Sequence, residues 1–221
     1  MKSIKHFFTI AAAAAMLTAC GDQAPADESQ DTTTEEQQTS ALEGQFMVEP
    51  ADSKVNWEGN MLEVGGVSLY GHHGVISVAK GEVMVDNGQI TSGAVVIDMS
   101  TIRPQDDNYE DKEGKTADDL VGHLSSDDFF NVSEHPTSRL DITGMEGGVL
   151  MGNLTIRGNT NPVKIENIKI KEGEEGVMHA SGEFEIDRQK YGARFSMPVS
   201  DKVLSDNIKL SFDVKAKKPT A

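Results

Sequence analysis

The sequence predicts an all-β fold, either an antiparallel barrel or a sandwich, and three observations lead there. Apolar and polar residues alternate with period two from Phe46 to Lys215. Turn signals of hairpin length separate the alternating runs. About eight to ten such runs fit into roughly 175 residues, the density of a one-domain barrel or sandwich. The inner-facing candidates are aliphatic, Met or Gly, and aromatics make up only 5% of the chain. An eight-stranded barrel lined this way has room for packed side chains or for one small ligand.

Taken in order, Val55 and Trp57 share one face of the first strong run, and Val83 and Val85 share one face of the next. The turn signal Asp86-Asn87-Gly88 follows. Residues 100–136 break the pattern, being too polar and aperiodic for a strand. Their second half predicts a short helix capped by Ser125 or Ser126, and a long excursion of this kind reads as a lid, a binding loop or a disordered insert. Glu146-Gly147-Gly148 turns into a run with Leu150, Gly152, Leu154 and Ile156 on one parity. Val163 and Ile165 then disagree in parity with Ile168 and Ile170, which a bulge or bend near Glu166-Asn167 reconciles. After Glu172-Gly173, Met178 to Ile186 alternate, as do Ile208, Leu210, Phe212 and Val214.

The ends of the chain are read separately. Lys2 and Lys5 precede an apolar stretch from Phe7 through Leu17, which has the length of a signal peptide and is too short to span a bilayer. Leu17-Thr18-Ala19-Cys20 resembles the lipobox of bacterial lipoproteins, in which cleavage leaves a lipid-bearing Cys at the new N-terminus. Residues 1–19 are therefore expected to be a signal peptide, and Cys20 the lipid-attachment site. Residues 20–45, acidic and without apolar periodicity, are expected to form a disordered tether. The barrel domain is expected over 46–217. The implied location is the bacterial cell envelope, on the periplasmic face or the outer membrane, with the membrane reached through the N-terminal lipid.

Charge and motifs then exclude function classes. The formal charge is −16, from 20 basic and 36 acidic side chains, and becomes −18 once Lys2 and Lys5 are removed. That balance argues against nucleic acid, whose phosphates must be met by Lys and Arg. A single Cys rules out an intrachain disulfide and a thiolate-rich zinc site. His72 and His73 are adjacent, and on a strand they point to opposite faces, so no metal is expected. Gly-x-Ser-x-Gly and His-Glu-x-x-His patterns are absent, so no catalytic residue is assigned. Asp127 and Asp128 read as caps near a helix start. Arg157, Arg188 and Arg194 are scarce cations for which pairing with surface carboxylates is the default.

Four blocks carry a family resemblance. They are Val48-Glu49-Pro50 through Trp57; His123-Leu124-Ser125-Ser126-Asp127-Asp128-Phe129-Phe130 with His135-Pro136-Thr137; Gly152 through Val163; and Ile186-Asp187-Arg188-Gln189-Lys190-Tyr191-Gly192-Ala193. In order and in register from about residue 46 to 215, they resemble the YceI-like proteins. The resemblance implies a lipocalin-like antiparallel barrel with a short helical lid, whose interior binds a polyisoprenoid or another long-chain amphiphile such as an isoprenoid quinone or a fatty-acid-like lipid. It implies a carrier, buffer or sensor with no established catalysis and no cofactor besides the bound lipid. A homodimer is compatible with the sequence. Residues 104–119 depart from the family in length and acidity.

On that reading the tail-facing surface comprises Val95, Ile97, Met99, Leu154, Ile156, Phe184, Phe195, Leu210 and Phe212. Trp57, His123, Phe129, Phe130, Arg157 and Tyr191 complete the candidate ligand-binding set. Phe129 and Phe130 either cap the ligand or plug one end of the barrel, and His123 either meets a head group or ties the irregular segment to a strand. Two other classes stand beside this one: an envelope scaffold with a filled barrel, and an enzyme acting on a lipid or quinone through His123 or the His72–His73 pair.

Overall fold

The computed structural model describes residues 42–63, 66–196 and 202–219. The signal peptide, Cys20 and the tether up to residue 41 lie outside the described residues. The described residues fall within one compact unit.

Ten strands form one antiparallel sheet among the described residues. They are β1 (Gly44–Val48), β2 (Lys54–Glu63), β3 (Ser68–Asp86), β4 (Gln89–Pro104), β5 (Thr137–Glu146), β6 (Val149–Ile156), β7 (Asn159–Ile165), β8 (Lys169–Glu172), β9 (Val177–Asp187) and β10 (Lys202–Lys217). Neighbours run β7-β6-β5-β4-β3-β1-β10-β9-β8, and β2 joins β3 to β10 beside β1. The long strands β3 and β10 thus hold β1 along one half and β2 along the other. Phe46 faces Val83 in the first half, and Trp57 faces both Gly74 and Leu210 in the second.

The sheet curls into a barrel. At the seam, Asn159 Nδ2 donates to the carbonyl of Tyr191 (3.0 Å) and Asn161 Nδ2 to that of Lys190 (3.1 Å). These side chains tie β7 to the 3-10 turn Arg188–Tyr191, which follows β9. Each strand sends one parity inward, as the pleat requires. On β10, Ile208, Val214 and Ala216 are buried, and on β9, Met178, Ala180 and Ile186. The interior divides into two apolar clusters. One surrounds Phe46, Val85, Ile90 and Ile165, and the other lies around Met99, Ile102, Leu124, Phe129 and Tyr191.

Five expectations are corrected or sharpened. The barrel begins before residue 46, because Leu42 is buried in the Phe46 cluster and β1 opens at Gly44. β4 continues to Pro104, so only part of 100–136 is irregular. The helix α1 spans Ala117–Ser125 and is capped by Thr116, not by Ser125 or Ser126. Thr116 and Asp119 form a capping box, each side chain bonding the other's backbone N–H. Ser126 instead closes the other end, its hydroxyl donating to the His123 carbonyl at 2.8 Å. Asp127 and Asp128 follow the helix and cap nothing at its start. Finally, the bend at Glu166-Asn167 is present, with Asn167 at φ +55°. It also changes partners: β7 pairs with β6, and β8 pairs with β9.

Candidate functional site

The α1 half of the barrel encloses a cavity of about 260 Å³. Beyond it, toward Phe46, lies a second cavity of about 110 Å³. Val55, Ile97, Leu154 and Leu210 line both, so the two lie in line along the barrel interior. The walls come from alternate residues of β2, β4, β6, β9 and β10, and α1 covers one side with Leu120, His123 and Leu124. Leu120 and Leu124 stand four apart, the spacing that puts two helical side chains on one face.

Most candidate residues meet here. Trp57, Ile97, Met99, His123, Phe129, Phe130, Leu154, Ile156, Phe195 and Leu210 line the larger cavity. Val95, Phe184 and Phe212 line the smaller one. Phe129 and Phe130 pack edge to face with centroids 4.8 Å apart. They plug that end and form part of the cavity wall at once. His123 packs T-shaped against Phe129 and Phe195 rather than bonding a strand.

Two candidates sit elsewhere. Arg157 lines neither cavity; it donates to the carbonyls of Phe129 (2.9 Å) and Gly192 (2.7 Å) and to Asp127 (2.6 Å), holding the segment after α1 against the β6–β7 turn. Tyr191 is buried in the α1-side core without lining either cavity. Burial, aided by the nearby Asp187 charge, pushes its phenol up to about 12.

The surface-pairing default fails for Arg188, which is only 3% exposed. Its Nε donates to Ser205 O, Nη1 to Ala193 O and Phe195 O, and Nη2 to Leu204 O and to Asp206. These are as many bonds as a guanidinium has N–H groups. Composition alone does not reveal such a role, because it depends on carbonyls that the fold brings together. Ile76, Ile102, Met61 and Leu204 also line the cavity and escaped the sequence reading, and Ile208 lines it without having been among the candidates. Ile208 lies on the parity already read for β10, whereas a register shift between Val78 and Lys80 puts Ile76 on the opposite parity from Val83 and Val85 and so out of reach of their alternation.

The acidic insert docks on the cavity wall. His72 points inward and lines the larger cavity, while His73 on the opposite face is exposed. His72 Nδ1 lies 3.0 Å from Asp106 Oδ1 and its ring stacks on Tyr109 at 5.1 Å. Burial acts to raise the Asp106 carboxyl. Hydrogen bonds from the N–H groups of His73 and Asn108, the His72 ring and the Tyr109 hydroxyl outweigh it and hold the group below its usual range. Burial and the bond to Asp106 push the Tyr109 phenol up. Among the described residues, no group of three or more His, Cys, Asp or Glu side chains is placed to hold a metal ion.

Two polar groups on the larger cavity's wall remain weakly served. The Trp57 indole N–H is buried and has no hydrogen-bond partner among the described residues. The buried Ser138 hydroxyl donates to the Met99 thioether at 2.9 Å, a weak acceptor.

A single antiparallel sheet wrapped around apolar cavities in line defines a barrel of lipocalin-like build. The YceI-like domain model matches residues 46–216, and the chain belongs to that family, a family of binding proteins. Two solved structures share the fold at low identity. The crystal structure of Burkholderia cenocepacia BcnA is 16% identical with a TM-score of 0.55, covering 77% of this chain and 99% of that one. A polyisoprenoid binding domain from Saccharophagus degradans, implicated in plant cell wall breakdown, is 10% identical with a TM-score of 0.53, covering 79% and 98%. No curated protein matches the chain.

Proposed function

We propose that this protein is an envelope lipoprotein that takes a long-chain apolar ligand of polyisoprenoid type out of water, as carrier, buffer or sensor. The observation that carries this reading is the pair of apolar cavities joined through Val55, Ile97, Leu154 and Leu210. A chain lying along both exchanges water for aliphatic wall. At about 25 cal/mol per Å², a few hundred Å² of buried tail contribute several kcal/mol. Ordering the tail offsets part of that gain. The mechanism is reversible burial and uses no catalytic group. The Saccharophagus degradans neighbour, described as a polyisoprenoid binding domain, supports the ligand class by likeness.

The test is native mass spectrometry of protein purified from membranes, followed by solvent extraction. Release of a prenyl or acyl species in near-stoichiometric amount is the expected result. A lipid-free protein that also fails to take up added prenyl lipids would instead favour an envelope scaffold. Anchoring is tested by Cys20→Ser, which should move the protein from the detergent phase into the aqueous one, since stable attachment requires acyl chains.

A further inference from the structure

We propose that the apolar tip shared by β2, β3 and β10 docks on the surface of a neutral phospholipid bilayer, so that the cavity loads directly from the membrane. This rests on the proposed function and adds to it the source of the ligand and the face that meets that source. The outward positions of β2 run Lys54, Asn56, Glu58 and Asn60, and the polar series then breaks at Leu62. The partner of Leu62 on β10 is Val203, which is 51% exposed. On the opposite face Met61 pairs with Tyr70 and Leu204, and all three line the larger cavity. A register shift beside Met61 leaves Leu69 exposed, and Val67 next to it is 63% exposed. Of the six large hydrophobics exposed among the described residues, Val67, Leu69, Tyr70 and Val203 are gathered here. A sheet apolar on both faces belongs between two apolar layers, and this one meets water.

The patch is continuous with the cavity, because Tyr70 is 43% exposed and also lines it. A rim seated in the bilayer spares an apolar tail any passage through water. A second copy of the chain fits less well. The tip offers a handful of side chains, and a stable dimer takes roughly 20–30 residues a side. Chain length allows the orientation. The Leu42 carbonyl accepts from the Gly88 N–H at 3.3 Å, which fixes the start of the fold beside the β3–β4 turn, at the other end of β3 from Leu69. The strand between covers about 55 Å, and residues 20–41 span at most about 75 Å. A lipid on Cys20 and the tip can therefore engage one membrane together. The net charge of −16 repels an anionic surface, which leaves a zwitterionic one as the partner.

The chain has one cysteine, so Cys20→Ser gives a background for a single reporter thiol. The experiment uses the chain from residue 20 onward, which keeps the whole described fold, so that neither the leader nor an acyl group contributes. On it Val67→Cys carries an environment-sensitive dye at the tip, and Met84→Cys carries the same dye at an exposed site near the other end of β3. With phosphatidylcholine vesicles the emission should shift to the blue at position 67 and stay unchanged at position 84. Phosphatidylglycerol vesicles should give a smaller shift at low salt. Leu69 and Val203 are exposed and line neither cavity. Leu69→Ser combined with Val203→Ser should weaken co-sedimentation with phosphatidylcholine vesicles about tenfold and slow the transfer of a prenyl lipid from vesicle to protein. The unfolding midpoint should stay near wild type, and affinity for the same lipid presented in solution within about twofold. Equal responses at positions 67 and 84 overturn the inference, as does co-sedimentation that the double substitution leaves unchanged. A blue shift at position 67 that grows with protein concentration in the absence of vesicles also overturns it, since the tip then joins two copies. The proposed function survives each of these results, because lipid release on solvent extraction reads it separately.

Discussion

His72 and Asp106, thirty-four residues apart in sequence, meet at 3.0 Å and fasten the acidic insert to the wall of the cavity. The Asp106 side chain is 3% exposed and accepts further bonds from the His73 N–H and the Tyr109 hydroxyl, each at 3.0 Å. Its folded pKa lies below the ordinary value of 3.8. The ionised carboxylate therefore stabilises the fold fully above that ordinary value, and the contribution is lost as pH falls through the lower folded one. Asp106→Asn should destabilise the protein by about 1.5–3 kcal/mol at pH 7, the range for hydrogen bonds to a charged group. The gap between wild type and variant in urea midpoints should narrow as pH falls below 3.8 and through the lower folded value. A gap that persists undiminished as the carboxylate is protonated would show that its charge is not what holds the insert.

Gly74 on β3 is the floor on which Trp57 lies. A Cβ there would stand 2.7 Å from the indole Cζ2 and 2.7 Å from Pro104 Cα, and would collide with the Arg103 carbonyl. The backbone of β4 cannot retreat, so either the indole moves or the β3–β4 ladder opens. Gly74→Ala should cost about 1–3 kcal/mol, as overpacking does. It should also shift the tryptophan emission of the unliganded protein, whereas Gly59→Ala on β2, with open space at the Cβ position, should leave stability and emission near wild type.

The strands were legible because each side chain's parity is a local property of a pleated sheet. Val55, Trp57, Leu154, Leu210 and Phe212 face inward as their alternation required. The helix was legible only as an interruption. Its cap, Thr116 with Asp119, is a sequence signal too, but the apolar-looking His-Leu block drew the cap nine or ten residues too late. What alternation could not carry was the destination of polar groups. Arg188 finds four carbonyls from Ala193 to Ser205, and Asp106 finds His72, through contacts that exist only once the barrel closes. Arg157 likewise bonds the carbonyls of Phe129 and Gly192, partners that only the closed barrel supplies.

Leu154 lines both cavities, with Val55, Ile97 and Leu210 around the same junction. A larger side chain at this point should block the passage between the two volumes. Leu154→Phe should leave ligands with short tails, about eight to ten carbons, binding within a few-fold of wild type, and should weaken C20 prenyl ligands by tenfold or more. Each methylene kept out of the barrel forfeits about 0.8 kcal/mol. Phe184→Ala, which enlarges the smaller cavity, should act in the opposite direction and favour longer tails. Equal affinity of the Leu154→Phe protein across tail lengths would mean that the tail does not pass this junction.

Arg188 connects β9's exit to the start of β10 through bonds to Ala193 O (2.6 Å), Phe195 O (3.0 Å), Ser205 O (3.0 Å) and Asp206 (2.8 Å). Burial pulls its pKa below the usual guanidinium value, while Asp206 and Asp187 act against that pull. The group stays charged, because a guanidinium does not lose its proton in a protein. A lysine in its place has three donors on a single nitrogen and cannot reach carbonyls arranged around a planar fork. Arg188→Lys should therefore strand buried carbonyls and cost about 3–5 kcal/mol, the range for breaking a buried charged pair. The denaturant midpoint should fall with little change in slope. Arg188→Met, which also removes the charge, should cost less than Arg188→Lys if the buried ammonium is the larger penalty, and more if the unpaired carbonyls are. The ordering of the two variants thus separates desolvation of the cation from loss of its acceptors, and a cost below about 0.5 kcal/mol for both would mean that the network does not hold these segments together.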